Sequence, residues 1–162
     1  MSNLWPKEMP RHTDSEAEKK VFEALKTGLP KGWQAWHSLR LRSRRTGQFD
    51  ETDFIIADPG KPALLLVEVK GGHIEVRDGR WYQNGHPMDS SPLDQALSFR
   101  RLLVERFRDL SISSPKIGCA VCFPDTIFEK GPPGDDLQGL VIGEKDLPYL
   151  RQVLPTVMEY AV

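Results

Sequence analysis

The chain has 162 residues, enough for one domain with a substantial apolar core. Its 22 lysines and arginines nearly balance 23 aspartates and glutamates, so the overall charge indicates no general affinity for nucleic acid. No apolar run is long enough to span a bilayer and the polar N-terminus lacks a signal-peptide profile, so no membrane partner is expected. We interpret residues 14–162 as a single domain preceded by a flexible N-terminal arm, 1–13.

A first helix is predicted to begin at Asp14 or Ser15, either of which can cap it. Its apolar residues recur at helical spacing and define one buried stripe: Ala17, Val21, Phe22, Leu25 and Leu29. Glu18 falls on or beside that stripe, three residues before Val21. A carboxylate at this position is either a charge at the rim of the core or part of a site.

Residues 33–42 alternate as a strand does, which places Trp36, Ser38 and Arg40 on one face and His37, Leu39 and Leu41 on the other. A local basic cluster follows, and it consists of Arg40, Arg42, Arg44 and Arg45. A solvated loop and a loop that contacts nucleic-acid phosphates explain this cluster equally well.

The run 64–72, Leu-Leu-Leu-Val-Glu-Val-Lys-Gly-Gly, is predicted to be the central strand of an α/β sheet and to be covered on both faces. It forms an antiparallel hairpin with residues 50–57, because the intervening 58–62 is rich in turn residues. The start of the first strand then lies beside the end of the second. This pairing brings Asp53 close to Glu68 and Lys70, the last two of which share a strand face.

The remaining chain is predicted to hold a hairpin over 73–84, a helix opened by residues 90–92, a strand over 116–123, a loop over 125–138, a short strand at 140–142 and helix from 144 onward. Gln95 lies near the edge of the apolar face of the second helix. Cys119 and Cys122 are three apart on a strand and so point to opposite faces, which favours two buried thiols over a metal knuckle or a disulfide. Buried thiols fit a reducing cytoplasm, our predicted localisation.

Two or three carboxylates at one strand end make an oxygen site suited to a hard cation such as Mg²⁺. Lys70 can orient or help to deprotonate an attacking water and can stabilise negative charge on a phosphate. Phosphodiester hydrolysis needs these groups together with a metal. The alternative interpretation is a salt-bridged strand end that performs no reaction. No glycine-rich phosphate loop occurs, which argues against an NTPase.

Asp53 with Glu68-Val69-Lys70 resembles the D…(D/E)-x-K signature of restriction-endonuclease-like nucleases, and the chain more closely resembles the nuclease-related domain, NERD. The stretches that carry the resemblance are 15–25, 36–39, 51–54, 66–72, 79–81, 92–95 and 123–125. Thr52 departs from the pattern, which has an apolar residue between the two acids. The resemblance therefore covers most of the chain in the expected order.

The resemblance implies an α/β fold with a restriction-endonuclease-like core, in which helices flank a mixed central β-sheet. It implies Mg²⁺ or Mn²⁺ held by Asp53, Glu68 and the backbone carbonyl of Val69. Glu18 matches the helix-borne acid that supports the metal or its water, and Gln95 matches a polar residue near the site. With Lys70, these residues form the expected catalytic set of a DNA phosphodiesterase.

Similar domains are often fused to superfamily-one helicases, to kinase-like domains or to other DNA-processing modules. The chain is therefore expected to act in DNA processing or repair, with DNA and a fused or associated helicase as partners. A homodimer is also compatible with a double-strand cutter. The main alternative is a non-catalytic nucleic-acid-binding or docking domain of the same fold, in which Arg40 to Arg45 would matter more than Asp53. A structural module with no DNA contact is the third reading.

Overall fold

The computed structural model describes residues 3–9, 15–127 and 139–162. The strands within these ranges are β1 (Leu4–Trp5), β2 (Gln34–Arg42), β3 (Phe49–Asp58), β4 (Ala63–Val69), β5 (Ile74–Arg77), β6 (Arg80–Gln83), β7 (His86–Pro87), β8 (Lys116–Phe123) and β9 (Val141–Gly143). The α-helices are α1 (Glu16–Gly28), α2 (Pro92–Asp109) and α3 (Leu150–Ala161), and a 3₁₀ helix, Glu144–Tyr149, precedes α3. The helices and strands predicted from the pattern are therefore confirmed.

The main sheet has six strands in the order β1-β2-β3-β4-β8-β9. Strands β2, β3 and β4 are antiparallel neighbours, whereas β8 runs parallel to β4 and β9 parallel to β8. The connection from β4 to β8 contains α2, as a crossover between parallel strands requires. A second, three-stranded sheet is formed by β5, β6 and β7. The prediction of a mixed central sheet flanked by helices, consistent with a restriction-endonuclease-like core, is confirmed.

Both faces of β4 are covered, as its apolar sequence predicts. Leu65 and Val67 pack on one face against α1 and α3 residues such as Phe22 and Leu154. Leu66 points to the other face, where α2 contributes Phe99. The free cysteines divide in the same way, with Cys122 in the first cluster and Cys119 in the second. The prediction that the two thiols lie on opposite faces is therefore confirmed.

Local signals determine where the two helices beside the site begin. Ser15 caps α1 by accepting a hydrogen bond from the backbone N–H of Glu18 at 3.1 Å. Ser91 caps α2, and the Asp94 side chain accepts in return from the Ser91 N–H at 3.1 Å. Pro92 occupies the first turn of α2, where its missing N–H costs no helical hydrogen bond.

The structure differs from the prediction in part of the N-terminal arm. Leu4–Trp5 forms the edge strand β1, which pairs in parallel with β2, and Leu4 is buried. This part of the arm is therefore packed rather than loose, because the apolar Leu4 side chain joins the core cluster around Phe22. Residues 1–2 and 10–14, and most of the predicted loop 125–138, lie outside the described residues.

The predicted face alternation of β2 is wrong beyond Ser38. Ser38 has a φ of 60°, a left-handed conformation that interrupts the regular pleat. His37 therefore packs on the α1 side, against Phe22 and Phe54, whereas Leu41 joins Trp36 on the α2 side. The outer part of the β2–β3 hairpin thus packs against α2 rather than α1.

None of the helices in the described ranges combines the length and the apolar composition needed to cross a membrane.

Candidate metal and catalytic site

The site lies where β3 and β4 separate. Opposed residues run from Asp58 with Ala63 to Phe54 with Val67, and the pairing stops there. At the next position, Asp53 Oδ2 accepts a hydrogen bond from the backbone N–H of Val69 at 2.8 Å. The Asp53 carboxylate thus accepts the hydrogen bond that a backbone carbonyl of a paired strand would accept. This bond fixes the carboxylate beside the end of β4.

Glu68 is the most enclosed carboxylate of the site, with a residue exposure of only 6%. Its Oε1 lies 3.8 Å from Lys70 Nζ, and the lysine side chain is more open to solvent. Its Oε2 is buried and has no hydrogen-bond partner among the described residues. Because a buried, unpaired charge is costly, this oxygen requires a proton or a cation.

Asp53 and Glu68 lie close enough for their carboxyl groups to interact directly. Burial raises the pKa of Asp53 to about 6, and the negative charge of Glu18 adds to this effect. Burial also raises the pKa of Glu68 to about 9, helped by the charge of Asp53 and opposed by Lys70. Without a cation, the pair therefore retains a proton at neutral pH, and a divalent ion would supply the missing positive charge.

Glu18 joins this pair from the first turn of α1. Its Oε1 lies 3.1 Å from His37 Nε2, a hydrogen bond that lowers the pKa of Glu18 despite partial burial. The His37 ring is held by Phe22 at a centroid distance of 5.8 Å and by Phe54 at 4.9 Å. Glu18 also lies close enough to Asp53 for the charges of the two carboxyl groups to interact. The helix thus presents a carboxylate to the strand end, oriented by a buried histidine.

The sequence pattern gave His37 no functional role and did not connect it with Glu18. Glu18 itself was the available signal. A carboxylate beside the buried stripe of a helix needs a hydrogen-bond donor, which the sheet under the helix can supply. Because the alternation was extended past Ser38, it placed Leu41 on the same face as His37, whereas Leu41 lies on the α2 side with Trp36.

Lys70 and Gln95 line a common cleft of about 490 Å³ beside the strand end. The turn between β6 and β7 and the segment before α2 form its other walls, which include Asn84 and His86. Gln95 is exposed on the first turns of α2 and faces this cleft rather than the carboxylate pair. The cleft therefore leads from open solvent to the lysine.

Two residues that follow β8 hold the glycine turn after Lys70 in place through hydrogen bonds. Asp125 accepts a hydrogen bond from the Gly72 N–H at 2.8 Å and forms an ion pair with Lys20. Thr126 Oγ1 accepts from the Ile74 N–H at 3.0 Å and donates to the Gly72 carbonyl at 3.1 Å.

Close packing explains why this turn needs glycines. A Cβ on Gly71 would lie 2.7 Å from Ala17 Cβ, and Gly72 has a φ of +77°. Sequence reasoning included Asp125 in the matching stretches but gave it no role. The signal was its position, since β8 runs parallel to β4 and both strands end at the same edge.

The four predicted nucleic-acid-binding arginines lie apart from the carboxylates, on the outer hairpin. The guanidinium groups of Arg40 and Arg42 lie over the Phe49 ring at 4.3 and 5.8 Å from its centroid. Arg44 is 3.9 Å from Asp109 of α2, and Arg45 is exposed. The structure therefore separates the predicted basic cluster from the predicted metal ligands.

The carboxylate pair fits a cation that binds through few protein ligands. Within the described ranges, no three His, Cys, Asp or Glu side chains are grouped so as to hold a metal ion. Mg²⁺ commonly uses only one or two carboxylates and completes its octahedron with waters and substrate phosphates. Asp53 and Glu68, with the unpartnered Glu68 Oε2, match this kind of site.

Comparison with protein families gives one match, and it spans the whole candidate site. The family described as nuclease-related domain, NERD, matches residues 13–124, which is more than half of the chain. No curated protein and no solved structure matches the chain. The matched range includes Glu18, Asp53, Glu68, Lys70 and Gln95. This chain belongs to the nuclease-related domain family, as the order of its motifs predicts.

Proposed function

We propose that this protein is a nuclease that hydrolyses phosphodiester bonds of DNA with Mg²⁺ or Mn²⁺ bound by Asp53 and Glu68. One observation carries the proposal: the buried Glu68 and the half-buried Asp53 interact with each other beside Lys70, and one oxygen of Glu68 has no partner among the described residues. Nuclease-like proteins of the PD-(D/E)XK superfamily usually use divalent metals, which agrees with this chemistry. A bound divalent cation would stabilise the negative charge that develops on the phosphate.

Val69 contributes its backbone to the same proposal. Its N–H donates to Asp53, and in a strand the N–H and C=O of one residue point to the same side. The Val69 carbonyl is therefore expected to face the Asp53 side and would serve as a third oxygen ligand. This assignment explains why the residue between Glu68 and Lys70 needs no functional side chain.

The remaining residues act on the water and on the substrate. Lys70 lies at the junction of the cleft and the carboxylates, where its ammonium orients the attacking water and stabilises the pentavalent phosphate. Glu18, held by His37, keeps its negative charge and accepts a hydrogen bond from that water. Gln95 donates its amide to the substrate backbone from the wall of the cleft.

Cleavage of linear, nicked and single-stranded DNA in Mg²⁺ or Mn²⁺ tests this proposal. We expect Lys70→Ala to reduce the cleavage rate by about 100-fold or more, as loss of a group acting in proton transfer or charge stabilisation does. Asp53→Asn should reduce the rate and also weaken metal binding measured by calorimetry. Lys61→Ala, in the exposed turn between β3 and β4, is the matched control and should cleave normally. Unchanged cleavage by Lys70→Ala would refute the assignment.

A second candidate function is nucleic-acid binding without cleavage, which the exposed hairpin arginines favour. Binding that weakens with salt, with no product in any metal, would support it. In that case Asp53→Asn should leave DNA affinity unchanged. Circular dichroism of each variant establishes that the comparison is made between folded proteins.

The wider setting belongs to the same proposal and rests on the family resemblance. We place the activity in the cytoplasm, in DNA processing or repair, with a fused or associated helicase as partner. We treat residues 14–162 as one domain, to which Leu4–Trp5 adds the edge strand β1. Sedimentation with and without duplex DNA tests whether two copies assemble for double-strand cleavage, and cutting of one strand by a monomer would argue against this assembly.

A further inference from the structure

A groove of about 550 Å³ lies between the tip of the β2–β3 hairpin and α2, away from the proposed catalytic cleft. Arg44 and Arg45 line it from the hairpin, and Arg101 and Arg108 line it from the helix. Arg101 and Arg108 are seven residues apart, so they project from one face of α2. The opposite face of α2 is buried in the core.

The groove carries excess positive charge. Its lining also contains Glu105 and Asp109, but four arginines against two acids leave two uncompensated positive charges. Asp109 lies 3.9 Å from Arg44, whereas no ion pair joins Arg45, Arg101 or Arg108 to a carboxylate of the described residues. Guanidinium groups that line one groove, three of them outside any such ion pair, suit a phosphate, which they bind through paired hydrogen bonds.

The two walls of the groove are held in place by contacts outside it. Ser98 of α2 donates to Asp50 Oδ2 of β3 at 2.7 Å, and Arg106 donates to the Arg42 carbonyl at 3.0 Å. These contacts attach the outer hairpin to the helix over more than two helical turns. A ligand therefore meets a groove that is already formed, which reduces the entropy lost on binding.

We propose that this groove, here called the arginine groove, binds the phosphate backbone of nucleic acid outside the catalytic cleft. The choice of DNA as the source of these phosphates rests on the proposed nuclease function. Along α2, Arg101 and Arg108 lie about 9 and 20 Å beyond Gln95, at about 1.5 Å per residue. For a duplex that runs along α2, with one phosphate per strand every 3.4 Å or so of its axis, these distances correspond to roughly three to six nucleotides.

A nucleic acid fits the arginine groove better than an anionic membrane does. Surface-bound helices insert an apolar face into the lipid boundary. The lining of this groove includes one apolar side chain, Val104, and that residue is only partly exposed. A concave surface lined mainly by charged side chains matches a backbone of regularly spaced phosphates.

Fluorescence anisotropy with a labelled duplex in EDTA tests the proposal, because binding is then measured without metal or cleavage. We expect Arg101→Gln/Arg108→Gln to weaken binding at least about tenfold at low salt, since two phosphate contacts are lost. The slope of log affinity against log salt should fall by about two. Glutamine is a good helix former, so α2 should remain intact. Arg44→Gln/Arg45→Gln should weaken binding in the same way from the other wall.

The matched control is Lys31→Gln/Lys61→Gln, which removes the same charge from two exposed loops at the opposite end of the sheet. This control should keep nearly the parental salt slope. If the arginine and lysine variants bind equally well, or if the parental protein binds phosphatidylserine vesicles but no duplex, the proposal is overturned. Failure of the nuclease assignment looks different: no DNA is cut in any metal, while the salt-dependent binding and its loss in Arg101→Gln/Arg108→Gln persist.

Discussion

Replacing Glu68 by glutamine should flatten the pH dependence of the stability of the metal-free protein. In the folded chain the pKa of Glu68 is raised to about 9 and that of Asp53 to about 6, whereas both groups ionise near pH 4 in the unfolded chain. Between pH 6 and 9 the folded protein therefore holds one more proton than the unfolded protein. Its stability must fall as pH rises through this window.

The size of the effect follows from that single proton. From pH 6.5 to 8.5, one proton of difference lowers the free energy of unfolding by up to about 3 kcal/mol. For a chain of this length, that loss corresponds to a fall in Tm of about 6–12 °C. Glu68→Gln carries no titratable group at this position, so the variant should lose most of this slope even if its stability differs at every pH.

Thermal unfolding in EDTA, followed by circular dichroism at several pH values, measures both slopes. Glu159→Gln, on the exposed surface of α3, is the control and should keep the parental slope. The difference between parental protein and Glu68→Gln isolates the Glu68 carboxyl group together with its interaction with Asp53, because the titrations outside this pair are common to both proteins. Equal slopes in the two proteins, or a parental stability that rises from pH 6.5 to 8.5, would refute the reasoning.

Two further predictions concern stability. Thr126→Val should lower the free energy of unfolding by about 1–3 kcal/mol, since it removes a buried hydroxyl that bridges two backbone groups. Thr52→Val should be neutral or stabilising, because the buried Thr52 Oγ1 has no partner in the described structure. Urea unfolding of both variants checks this, and equal losses would contradict it. Gly71→Ala should lower the free energy of unfolding by about 1–3 kcal/mol, because the new Cβ would collide with Ala17 Cβ. Adding Ala17→Gly to this variant should recover part of the loss in the same urea assay, and no recovery would contradict the prediction.

The proximity of Asp53 to Glu68 could be predicted from the sequence because it depends only on a hairpin. A short turn fixes which residues of two antiparallel strands lie side by side, and the apolar pattern fixes the register. The structure brings the two carboxyl groups together as this pairing requires. The assignment of these groups as metal ligands stays a prediction.

Other features depend on contacts that a linear pattern does not encode. The left-handed Ser38 reverses the alternation of β2, although serine carries no signal for this conformation. The bonds from Asp125 and Thr126 to the glycine turn join segments more than 50 residues apart. Leu4 lies in a polar, proline-containing stretch, so its burial depends on an edge of the sheet that the rest of the chain must first build.

The difference in chain separation between the contacts of the site has a consequence for the order of folding. Asp53 meets Val69 across 16 positions, whereas Asp125 meets Gly72 across 53. By loop-closure entropy alone, the longer connection costs about 1 kcal/mol more. We therefore expect the β3–β4 hairpin, which carries Asp53 and Glu68, to form early. The hydrogen bond from Gly72 to Asp125 should form late. Before that step, the forming hairpin brings the carboxylates of Asp53 and Glu68 together, where they repel each other. A divalent ion that bound both would relieve this repulsion and speed the formation of the hairpin.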